Sequence, residues 1–138
     1  AIKSYTVGKD SPVVDTHNAE GWIKIYGLVD APNSNTGRKN AEDFASKKGY
    51  LHGREKTYIL GAQALKNLEG KYFDQGDTWS WLPGSRVGDR LVSACFYSRG
   101  WLRASWDLDP GVPRSNGGWR FEEVKKFKPF LLLSFLTF

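Results

Sequence analysis

The sequence predicts a single α+β domain over residues 1–138, with two helices packed on antiparallel strands. Three observations carry that expectation. An apolar–polar alternation near the start reads as a strand, "GWIKIYGLV". Two stretches with apolar residues at helical spacing follow, each closed by glycine. The second half then holds several short runs rich in β-formers, separated by turn residues. Strands, then helices, then strands again make one α+β layer arrangement rather than repeated βαβ units.

The elements follow in order. "SYTV" is a short first strand. In "GWIKIYGLV" Trp22, Ile23 and Ile25 bracket Lys24, and the turn cluster "DAPNSNTG" ends the run. "RKNAEDFASKKG" has Ala41, Phe44, Ala45 and Lys48 on one helical face, with Lys47 and Lys48 in the last turn and Gly49 just beyond. "YLHG" is an extended link. "REKTYILGAQALKNLEG" is a second helix with a stripe of Tyr58, Ile59, Ala62, Leu65 and Leu68, closed by Gly70. In "DTWSWLPG" Trp79 and Trp81 point one way, and Thr78 and Ser80 the other. "RLVSACFY", "GWLRASW" and "GGWRFEEV" are further strands, the last with Trp119 and Phe121 on one face. "DLDPGVPRSNGG" is a loop.

Composition narrows the function. A chain of 138 residues with 40% hydrophobic and 25% charged residues suits one core. Aromatics at 14% point to a stiff aromatic core or a recognition surface. The net charge of +5 comes from basic residues scattered through "GRK", "SKK", "GRE" and "VKKFK", so it argues only weakly for an acidic partner and not for nucleic acid. Cys95 is the single cysteine, which excludes an intrachain disulfide and a cysteine-based metal site. It sits in an apolar run and reads as a structural thiol, with His17 and His52 far off in sequence. No signal peptide is visible, and the apolar tail "FKPFLLLSFLTF" is too short to span a bilayer, which takes about 20 residues.

A resemblance then comes into view. "AEDFASKKGYLHGREKTYILGAQAL", "WSWLPGS" and "GGWRF" together resemble the C-type lectin fold: a helix ending in Gly, an extended link (here Leu51-His52-Gly53), a second helix, a Trp–Ser strand and a "GFR"-like final strand. The resemblance covers roughly residues 20–124. It implies a C-type lectin-like fold. The calcium-dependent sugar-binding branch uses a Pro-flanked ligand set and disulfides, neither of which is present. The formylglycine-generating branch works through cysteine chemistry, for which Cys95 alone does not suffice. The chain is most similar to a third branch, the ligand-binding domains of diversity-generating retroelement variable proteins. That likeness implies a non-enzymatic domain of phage or prokaryotic origin, displayed on a virion or cell surface. Its variable segment, about residues 95–121, would meet a protein or cell-surface ligand, with no cofactor and no metal.

The residues of that segment suit recognition independently. Rigid aromatics supply contact area, Arg supplies bidentate and stacking contacts, and Ser, Asn and Asp supply adaptable hydrogen bonds. The candidate ligand-binding residues are Phe96, Tyr97, Ser98, Arg99, Trp101, Arg103, Ser105, Trp106, Asp107, Leu108, Val112, Arg114 and Asn116. Alternation sets Leu91, Ser93, Cys95 and Tyr97 on one face of their strand and Val92, Ala94 and Phe96 on the other. One face must be core, and Phe96 stays open between core and surface. Trp101 and Trp106, five apart, fall on opposite faces. Trp79, Trp81 and Trp119 are assigned to the core, and Arg99, Arg103 and Arg114 to the surface.

Other readings are thinner. Asp89, Asp107 and Asp109 match no calcium-loop spacing. Asp15-Thr16-His17 reads as a solvated loop rather than a catalytic pair. Glu122 and Glu123 are adjacent on a strand, so they face opposite sides and cannot act as a carboxylate pair. A single-strand nucleic-acid binder and an undiversified carbohydrate- or protein-binding module are the competing functions. The tail "PFLLLSFLTF" is read either as a buried strand beside the N-terminal one or as a contact with a second copy or a larger parent protein.

Overall fold

The computed structural model describes residues 12–125. The expected strand "SYTV" and the apolar tail lie outside them. The described residues form an α+β unit with two helices and two sheets. The larger sheet is built from β1 (Val14–Asp15), β4 (Trp79–Val87), β5 (Arg90–Phe96) and β6 (Leu102–Ser105), in the order β1-β4-β5-β6. Its pairings are antiparallel except that β7 (Gly117–Trp119) lies parallel to the start of β4. The smaller antiparallel sheet sets β8 (Phe121–Lys125) between β2 (Trp22–Ile25) and β3 (Leu51–His52).

Helix α1 (Arg38–Lys48) carries an Arg38–Glu42 ion pair across one turn and ends at Gly49 with φ 71°, a left-handed position open to glycine at no steric cost. Helix α2 (Glu55–Glu69) ends the same way at Gly70, φ 77°. Both helices form where the apolar spacing predicts, but their expected faces are buried only in part: on α1 Ala41 and Ala45 are buried while Phe44 and Lys48 are exposed, and α2 has its own exception. Leu68 is 84% exposed, because the buried stripe of Tyr58, Ala62 and Leu65 has already rotated away from it.

The larger sheet has a core on each face. On one, Leu82, Ala94, Phe96 and Leu102 pack with Tyr58, Ala62, Leu65, Tyr72 and Phe73. On the other, Trp81, Leu91 and Trp119 pack with Phe121 and with Ala41 and Ala45 of α1. Trp81 and Trp119 stack with centroids 5.5 Å apart. Trp79 is only half-buried at the edge of this second cluster, a correction to its assignment as core.

The stretch "GGWRFEEV" is not one strand. It crosses from the larger sheet to the smaller at Arg120, which is wholly buried. Its guanidinium donates to the carbonyls of Tyr26, Leu28 and Val29 and to Ser80 Oγ, and it pairs with Asp74 at 3.4 Å. Asp74 accepts further bonds from Tyr58, Thr78 and Ser80. Ser80 therefore faces a buried polar network rather than solvent. A second network joins Arg54 to Glu122 at 2.8 Å, with Thr57 and the Arg54 amide also donating to Glu122. Both networks leave no charge unpaired, the condition for burying one.

Candidate functional site

Strand register decides which side chains of the 95–121 segment reach the surface. Directly opposed residues of an antiparallel pair share a face. Strands β5 and β6 pair Ser93 with Ser105, Ala94 with Ala104, Cys95 with Arg103 and Phe96 with Leu102. Phe96, Ala94 and Leu102 turn into the α2-side core. Ser93, Cys95, Arg103 and Ser105 turn to the opposite face, where Ser93 beside Trp81 is buried, Cys95 and Ser105 are partly exposed and Arg103 is exposed.

The hairpin tip extends that face. The Tyr97 amide donates to the Trp101 carbonyl, and the Gly100 amide donates to Tyr97. Gly100 adopts φ 85°, which closes the turn in four residues. By alternation Tyr97 continues the Cys95 side and Trp101 the Arg103 side. Tyr97 and Trp101 are each 51% exposed. The result is a strip two strands wide: Tyr97 beside Trp101, Cys95 beside Arg103, and Ser93 beside Ser105.

Beside this strip lies a pocket of about 240 Å3 lined by Trp79, Ser93, Ala94, Cys95, Arg103, Ser105 and Leu108. Leu108 also borders an open cleft with Trp106, Asp107, Asp109, Arg90 and Arg38. The cleft lies where the 106–116 loop crosses the start of α1: the Arg38 amide donates to the Pro110 carbonyl, and a Cβ on Gly37 would stand 3.0 Å from the Gly111 oxygen. Arg90 reaches Asp107 at 3.7 Å across exposed surface. Asp109 accepts from the Gly111 amide.

The candidate residues therefore divide. Tyr97, Ser98, Arg99, Trp101, Arg103, Asp107 and Leu108 are exposed, while Ser105 and Trp106 are partly so. Phe96 is corrected: at 1% exposure, stacked on Tyr58 and Tyr72, it is core and offers no surface to a ligand. Val112 and Asn116 are exposed but line neither concavity, and Arg114 lines neither of them either. Arg114 is half-buried, with its Nε shielded from solvent, a correction to its assignment as a surface residue. Trp79 and Ser93, which sequence reasoning did not select, help form the pocket. The signal was available in part, since Ser93 shares the Cys95 and Tyr97 side of β5.

Two glycines hold the strip's edge against the rest of the fold. A Cβ on Gly117 would collide with the Trp79 ring, and one on Gly118 with the Pro32 carbonyl oxygen. β7 can lie against β4 only with hydrogen at both positions.

Burial pushes the Cys95 thiol above its ordinary range, Asp74 adds to that, and Arg103 partly offsets it. A thiolate nucleophile needs the reverse. His17 lies elsewhere: its Nε2 meets the His52 carbonyl at 2.7 Å and its Nδ1 accepts from the Ala19 amide. Asp15 accepts from Ser85 Oγ, so the Asp15-Thr16-His17 stretch serves local structure. Among the described residues no cluster of three or more His, Cys, Asp or Glu side chains could hold a metal ion. No helix among them is long and apolar enough to cross a membrane.

A separate pocket of about 280 Å3 sits between α1 and the outer face of the smaller sheet, lined by Tyr26, Phe44, Tyr50, Phe121, Lys24 and Glu123 among others. Of the 95–121 segment it takes only Trp119 and Phe121. Compared with known proteins, the chain matches no family model, no curated protein and no solved structure, so the site stands on its own geometry.

Proposed function

We propose that this chain is a non-enzymatic ligand-binding domain with a C-type lectin-like fold, of the kind carried by retroelement-diversified variable proteins. Its binding face is the strip from Tyr97 and Trp101 to Ser93 and Ser105, continued by Trp106, Asp107 and Leu108. The ligand is a protein or a cell-surface molecule.

The observation that carries this reading is the division of labour along β5 and β6. Inward residues such as Phe96 and Leu102 hold the core, while the outward residues between them are exposed or line an open pocket. Outward positions of this kind can change without cost to the fold, because surface substitutions usually stay within about 0.5 kcal/mol. Half-exposed Tyr and Trp on a rigid hairpin are also the anchors that interfaces use.

Deep sequencing of this gene across its source population tests the reading. Substitutions should gather at Tyr97, Ser98, Arg99, Trp101, Arg103, Ser105, Trp106, Asp107 and Leu108. Phe96, Gly100, Leu102, Gly117, Gly118 and Trp119 should stay unchanged. A sparse, even spread of substitutions removes the diversified face.

A further inference from the structure

The arginines of this domain differ in how they are satisfied. Arg54 and Arg120 are buried in ion pairs, and Arg38 and Arg90 pair with Glu42 and Asp107. Arg99 and Arg103 are exposed, and among the described residues neither has a hydrogen-bond or ion-pair partner. Arg103 stands within the strip, next to Trp101 along β6 and opposite Cys95, at the wall of the pocket floored by Ser93 and Ala94. Arg99 sits at the tip of the same hairpin.

We propose, resting on the binding-face reading above, that the partner is a protein segment bearing an acidic side chain. Its carboxylate seats on the Arg103 guanidinium, and its apolar neighbours cover Tyr97 and Trp101. A guanidinium presents a planar fork of donors that matches a carboxylate in two parallel bonds. The flanking rings exclude water from such a pair, which strengthens it. Ser105, partly exposed, lies beside it and supplies a short, adaptable hydroxyl, while the buried Ser93 hydroxyl donates to the Ser105 carbonyl.

The same positive charge does not suit a nucleic-acid strand. A phosphate backbone needs a basic track that continues from one phosphate to the next. Past Ser105 the surface alternates in sign, with Asp107, whose side chain is 82% exposed, paired to Arg90, and with Asp89, Asp109 and Arg38 along the same cleft, so the positive charge does not continue as a track. The charge available to a ligand is local, and a single carboxylate fits it.

The test is selection of a phage-displayed random-peptide library on the immobilised full chain. Three variants accompany it: Arg103→Glu, Arg99→Glu and Lys71→Glu, the last an equal charge change at an exposed residue outside the strip. Circular dichroism confirms that each is folded. Selected peptides should be enriched in Asp and Glu next to apolar residues. Arg103→Glu should weaken those peptides by about tenfold or more, and Lys71→Glu by less than about twofold. Neutral peptides that compete through Tyr97 and Trp101 would remove the acidic partner and spare the binding face. Equal loss in Arg103→Glu and Lys71→Glu would reduce the attraction to net charge and overturn the proposal. Salt-steep binding of oligo-dT that Arg103→Glu abolishes would overturn it in favour of nucleic acid. Failure to select any peptide would count against the face and the acidic partner together.

Discussion

Phe96 and Tyr97 are neighbours in sequence, and the fold gives them opposite work. Phe96 is 1% exposed, with its ring 5.5 Å from Tyr58 and 5.2 Å from Tyr72, while Tyr97 is 51% exposed. Burying a Phe side chain contributes about 2–3 kcal/mol. Two stacked aromatic pairs add about 1 kcal/mol each beyond their area. Phe96→Ala should therefore cost about 4 kcal/mol, within the ~3–5 kcal/mol range for such truncations. With a urea dependence of about 2 kcal/mol per molar, the unfolding midpoint should fall by about 2 M. Tyr97→Ala should move it by less than about 0.5 M. Urea titrations followed by tryptophan fluorescence measure both. If the two variants shift alike, the register that separates core from surface is wrong, and the binding face falls with it.

Three further outcomes follow from the same geometry. Glu122→Gln leaves the Arg54 guanidinium buried without its counter-charge and should cost about 3 kcal/mol, whereas the double variant Arg54→Met with Glu122→Leu should recover much of that; thermal melts of both variants beside the unsubstituted protein decide it. Burial above all lowers His52 below its ordinary value of 6.5, with Glu42 partly offsetting, so the folded state resists its protonation. Stability held above that value should therefore be lost as pH falls below it, and His52→Gln should flatten the drop in urea midpoint between about pH 7 and pH 5. Removing the Arg103 cation by Arg103→Gln should raise the Cys95 thiol further and slow its alkylation by iodoacetamide at about pH 8; an unchanged rate would show that the two side chains do not interact.

Local chemistry was legible in the sequence. Gly49 and Gly70 marked the helix ends because the left-handed positions they occupy favour glycine. The alternation in "RLVSACFY" gave the two faces of β5, though not which face was open, since that depends on how far α1 reaches across the sheet. What escaped was charge in the interior. Arg54, Arg120 and Glu122 look like surface residues by type, and only contacts across 68 to 94 positions of sequence make them core. The break in "GGWRFEEV" escaped for the same reason. Arg120 turns inward where β-propensity sees one continuous strand. Trp79 was misassigned because strand periodicity says nothing of where a sheet's cover ends.

Arg120 also sets a timetable for the molecule. The carbonyls of Tyr26, Leu28 and Val29 wait for a guanidinium more than ninety residues downstream. Arg54 waits likewise for Glu122. On the ribosome the chain emerges from its N-terminus, so the first half is made with these partners still unsynthesised. Contacts this distant are slow to form and give stability only when both ends are present. A nascent chain stopped before Gly117 would hold the whole Tyr97–Asn116 segment yet lack the clasp that closes the scaffold beneath it. Folding therefore comes late in translation, and a prematurely terminated chain cannot present the finished surface of the 97–116 segment.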